Sequence, residues 1–127
     1  MTIPAAIAFH NKIGTAAKEA RLPYLRNLWV APARQMKGLM VLTPDDLRMV
    51  AALTSFRLDR VTSTSANEAI TKRLAERYGV FTVRRTGPAV GDCIRVTPSA
   101  YTSAEDVMKL VNALRSITAS PKSIGDY

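Results

Sequence analysis

Asp92-Cys-Ile-Arg-Val-Thr-Pro-Ser-Ala-Tyr-Thr-Ser-Ala-Glu-Asp106 reads as a short strand through Arg95, a turn, and then a capped helix. The spacing of Thr102-Ser-Ala-Glu105 is that of a capping box, in which a hydroxyl and a carboxylate three residues later each satisfy a free backbone N–H. Val107, Leu110, Val111 and Leu114 follow at helical spacing and predict the buried face. An amphipathic helix needs a surface to cover, so a strand feeding directly into one implies packed layers of sheet and helix.

Upstream, Val80 to Arg85 and Asp92 to Thr97 are expected to pair as an antiparallel hairpin, joined by a Gly-Pro and Gly-Asp connector. Ser65-Ala-Asn-Glu68 is a second capping box, with Ile70, Leu74 and Tyr78 on one side of its helix. Gly79 suits the left-handed stop, with Val80 folding back. Ala51 to Leu58 is expected as a strand with Ala52, Thr54, Phe56 and Leu58 on one face, and Leu39 to Thr43 as another, followed by a turn at Thr43-Pro-Asp-Asp46. Near the start, Thr2 caps a helix that tolerates Pro4, and Ala6, Phe9, Ile13 and Ala20 form an apolar stripe. Pro23 and Pro32 are expected to break or kink its continuation, and Gly38 to stop it. The expected order is α-β-β-α-β-β-α, an α+β fold with a small antiparallel sheet of about four strands and helices on one face.

Its 127 residues suit one domain with a real core. We assign residues 1–118 to the domain and 119–127, where Ser, Pro, Lys and Gly accumulate, to a flexible tail. The net charge of +8 attracts nucleic acid or anionic surfaces nonspecifically, yet only Lys72-Arg73 and Arg84-Arg85 are adjacent basic pairs. A spread basic surface is the expectation, without specific nucleic-acid recognition. The single Cys93 excludes an internal disulfide and the single His10 a His-rich metal site. The N-terminus lacks a basic leader region, and no window approaches the ~18 apolar residues of a membrane span. A cytoplasmic protein with no membrane partner is expected.

From the strand alone, Arg95 is either one of 18 Lys and Arg residues on a solvated strand face or a binding residue for a carboxylate. A guanidinium is always charged and meets a carboxylate through two parallel hydrogen bonds, which fixes orientation as well as affinity. Cys93, two residues before Arg95 and inside the predicted strand edge, reads as a buried or half-buried spectator thiol. His10 reads as a satisfied structural residue, because no carboxylate or cysteine lies at i+4.

The whole pattern resembles the C-terminal small domain of fold type I pyridoxal-phosphate enzymes, in particular the class V aminotransferase family of isopenicillin N epimerases and cysteine desulfurases. Ala8-Phe-His-Asn-Lys-Ile-Gly14, Glu19-Ala-Arg-Leu22, Leu42-Thr-Pro44, Ser55-Phe56 and the Arg95 segment match in order. The resemblance implies that Arg95 binds a substrate carboxylate, but only with a large domain present. It also implies that the cofactor lysine, the aspartate facing the pyridine nitrogen and the phosphate loop belong to that large domain. No catalytic, cofactor-binding or metal residue is therefore expected in this chain, although pyridoxal phosphate is expected in the parent enzyme. Thr102 stands where relatives commonly carry asparagine, and Pro23 and Pro32 stand where they continue a helix. The expected partner is a second copy of the chain, in a homo-oligomer, or a separate large-domain chain that completes a split enzyme. A basic module binding RNA or DNA is the reading from another class. It rests on Tyr78-Gly-Val-Phe-Thr-Val83, and it leaves Phe81 almost alone as a stacking aromatic.

Overall fold

A computed structural model describes residues 2–46, 48–87 and 89–119. The elements are α1 (Ile3–Ile13), α2 (Thr15–Ala33), β1 (Leu39–Val41), β2 (Thr54–Leu58), α3 (Thr64–Tyr78), β3 (Val83–Arg85), β4 (Cys93–Val96) and α4 (Ala104–Ala119). The four strands form one antiparallel sheet in the order β1-β2-β4-β3. The α+β class, the sheet and the β3–β4 hairpin are as expected from the sequence. β4 lies between β2 and β3, so β2, α3 and β3 make a split crossover unit.

Alternation along the strands separates two faces. Phe56 and Ile94 are register partners on the central strands, and both are fully buried. They join Leu39 and Leu58 with Leu25 and Trp29 of α2, Ile70 and Leu74 of α3, and Leu110, Val111 and Leu114 of α4 in one core. The helices therefore cover one face. Each such side chain contributes about 1.5–3 kcal/mol on burial.

The N-terminal helical region departs from expectation. It is two helices, separated at Gly14, whose φ of 84° and ψ of 146° suit a residue without Cβ. Pro23 and Pro32 lie inside α2 and do not end it. A proline within a helix costs about 3 kcal/mol, and burial of Leu25, Trp29 and Val30 at about 1.5–3 kcal/mol each offsets the cost of the two.

Both caps also fall elsewhere. Ser63, not Ser65, caps α3 by accepting from the Ala66 N–H. Ser103, not Thr102, opens α4. Its hydroxyl accepts from the Asp106 N–H at 3.0 Å and donates to the Asp106 carboxylate at 2.7 Å. Glu68 reaches across to Arg84 at 3.2 Å instead of closing a box. The expected C-terminus of α3 holds: Gly79 has φ 65°, and the Val80 N–H donates to Leu74 O. β2 and β3 start three residues later than expected, at Thr54 and Val83.

The apolar stripe of α1 is not a buried one. No residue of this helix is buried, and Ile3, Ile7 and Phe9 are 77%, 56% and 47% exposed. His10 is exposed as well, so it is not packed into a structural niche. Ala119 is the last residue of α4, and residues 120–127 of the expected tail lie outside the described residues.

Candidate functional site

Arg95 lies on β4 between Ser55 of β2 and Val83 of β3. Its neighbour Ile94 points into the core, so Arg95 projects from the face opposite the helices. Arg57 and Arg85 share that face by the same alternation, and none of the four strands contains an acidic residue. The result is a basic sheet face.

The arginines near it are not equivalent. Arg57 is 8% exposed and spends its guanidinium on Asp92 O at 2.7 Å and Gly91 O at 2.6 Å, which pins the β3–β4 connector. Arg84, on the helix side, pairs with Asp92 at 2.8 Å and Glu68 at 3.2 Å. Arg26, buried in α2, donates to Thr54 Oγ1 and Asn27 Oδ1, and burial lowers its pKa. Arg95 is half-buried, its Nε is inaccessible to solvent, and it has no hydrogen-bond or ion-pair partner among the described residues. A guanidinium in that state is available to an incoming anion and costs free energy while it waits.

Asp92, read from sequence only as the start of a strand, anchors the site's frame. It is 5% exposed and accepts from the Thr64 hydroxyl at 2.9 Å. That hydrogen bond, with the Arg84 guanidinium, holds its carboxyl below the usual carboxylate range. Neither partner was legible beforehand, because both contacts close across the fold.

Cys93 is a free, half-buried thiol on the Arg95 face. Trp29 is fully buried and packs edge-on to Phe56. Among the described residues no three His, Cys, Asp or Glu side chains are placed to hold a metal, and no helix is long and apolar enough to cross a membrane.

Solved structures share this architecture. The chain is 26% identical to the cystine C-S lyase C-DES, solved with its reaction product cysteine persulfide. That match covers 87% of this chain and 27% of the lyase, with a TM-score of 0.67. Oryza sativa TDC with PLP and tryptamine matches with a TM-score of 0.69 at 14% identity, covering 87% of this chain and 24% of that one. Catharanthus roseus tryptophan decarboxylase with L-tryptophan gives 0.66 at 13% identity, over 82% and 22%. No protein-family model and no curated protein matches the sequence. The fold is that of the small domain of fold type I pyridoxal-phosphate enzymes, and the chain spans about a quarter of the length of the solved structures it matches.

The residues present do not fit the cofactor. A Schiff-base lysine needs a desolvated site. Lys12, Lys37, Lys72 and Lys109 are exposed, and Lys18 is half-buried with its ammonium on His10 O. Lys122 lies outside the described residues.

Proposed function

We propose that this chain is the C-terminal small domain of a class V aminotransferase, of the isopenicillin N epimerase or cysteine desulfurase kind, acting in the cytoplasm. In this reading these residues hold no cofactor site of their own and are inactive alone, and Arg95 binds the substrate carboxylate when a large domain faces it. The observation that carries the reading is the half-buried, unpartnered Arg95 on a helix-free basic face. Similarity to a C-S lyase at 26% identity over 87% of the chain supports it.

The bare α1 supports a partner. An isolated helix of this length is marginal in water without tertiary packing. Exposed Ile3, Ile7 and Phe9 therefore fit a surface that a separate large-domain chain or a second copy covers. Specific nucleic-acid binding is not part of the proposal. Tyr78 is held by its hydroxyl to Ser116 at 2.8 Å, and Phe81 is left without a second aromatic for base stacking.

The test is reconstitution. The purified chain with pyridoxal phosphate should show no visible absorption band that survives dialysis. Mixed with a class V large-domain chain, it should restore turnover of a carboxylate substrate, and Arg95→Ala should abolish that turnover while the two chains still associate. Full turnover by Arg95→Ala would withdraw the carboxylate role.

A further inference from the structure

Trp29 is the single tryptophan of the chain; it is fully buried, yet its indole N–H has no hydrogen-bond partner among the described residues. The buried hydroxyl of Thr82 is orphaned in the same way. Both residues line one cavity of about 180 Å³ between α2, α4, the segment 79–82 and the end of β4. Most buried polar side chains in folded proteins find a partner, so two orphaned atoms in residues that line one cavity call for an explanation.

The chemistry of the two groups restricts the occupant. An indole N–H only donates, so it needs an acceptor, which the surrounding protein does not supply. A threonine hydroxyl both donates and accepts. One oxygen with two lone pairs has an acceptor for each. The rest of the wall includes Val96 and Leu110, which favour an apolar body. Lys109 also lines the cavity, but its ammonium is matched by the Asp106 carboxylate at 2.9 Å, so no net charge calls for an ion. A cavity of roughly 150 Å³ is enough to hold benzene, which sets the size of the occupant at a single ring.

We propose that this cavity binds a neutral, single-ring-sized apolar molecule carrying a hydroxyl or carbonyl oxygen, which accepts from Trp29 Nε1 and from the Thr82 hydroxyl. The two orphaned atoms are covered in the empty molecule. Entry is therefore by adjustment of the segment 79–82, which precedes the paired residues of β3 and carries Phe81 at 86% exposure. Val96 lies on the helix side of β4 and Arg95 on the other, so the site is separate from the carboxylate reading.

Because the chain has one tryptophan, a ¹⁵N-labelled sample gives one indole N–H resonance, and that resonance is the readout. Phenol and cyclohexanol should each move it downfield saturably. Benzene should bind at least about tenfold more weakly, the factor that one hydrogen bond commands. Thr82→Val should weaken phenol, and Val96→Phe, which fills the cavity, should remove the response. No saturable shift with either alcohol means that buried water alone serves the two groups, and the proposal fails. Equal binding of benzene makes the cavity merely apolar and overturns it too. The wild-type titrations decide this even if a variant does not fold.

Discussion

Asp92 and Arg95 are three positions apart, and the fold uses one completely and leaves the other unused. Asp92 is held by Thr64 and Arg84, and its carboxyl titrates below its ordinary range. A depressed folded value contributes stability above the unfolded value, near pH 4, and that contribution is lost as pH falls through the lower folded value. Asp92→Asn should therefore lower the Tm at neutral pH and shallow the fall of Tm in acid. Asp46 and Asp106 shift the same way, through Arg48 and through Ser103 with Lys109, so the acid limb is reduced and not erased. An identical acid limb in Asp92→Asn would refute the assignment. Among the described residues Arg95 has no acid to abandon, so Arg95→Ala should cost far less than the roughly 3–5 kcal/mol of breaking a buried ion pair. Chemical denaturation of the isolated chain distinguishes the two, and a large loss would make Arg95 structural.

The helices differ in what holds them. α3 and α4 have side-chain caps at Ser63 and Ser103, and each buries an apolar face. Ser63→Ala and Ser103→Ala should each cost about 1 kcal/mol. Ser65→Ala, one residue inside α3, should cost only a few tenths, as a surface change does. Urea midpoints of the three variants check the position of the caps. α1 has neither a side-chain cap nor a buried residue, and it is held by contacts such as the stacking of Phe9 on Tyr101, with centroids 6.0 Å apart, and the Lys18 ammonium on His10 O. Its amides should exchange with solvent faster than those of α2, whose Trp29 and Leu25 are fully buried.

The molecule buries one apolar core and leaves other apolar side chains outside it. Phe56 and Ile94 seal the helix face of the sheet, whereas α1, Tyr24 and Tyr101 leave apolar side chains in water. Surfaces of this kind find partners. The chain alone is expected to form a homodimer or larger assembly, and Ile3→Glu with Ile7→Glu should return it to a monomer without lowering its stability. Light scattering from micromolar to millimolar concentration reads the result, and a wild-type monomer throughout would count against the α1 surface.

Periodicity and turn chemistry were enough for the elements. Spacings of three and four residues marked α3 and α4, Gly79 marked a stop that holds to the residue, and nearness in sequence paired β3 with β4. These are local properties, set by backbone sterics and by which side chains recur on one face. Local rules misplaced what competing interactions decide: Ser63 outbid Ser65 as a cap, and the core held α2 straight through Pro23 and Pro32. The insertion of β4 between β2 and β3 was not legible, because strand order is a long-range choice that the pattern of any one strand does not encode. Arg95 could be singled out from its strand and the resemblance, but its lack of a partner could not. That depended on Arg57, Arg84, Asp92 and Glu68 satisfying one another first, and on the Trp29 and Thr82 orphans meeting at one cavity, which only the packed tertiary structure decides.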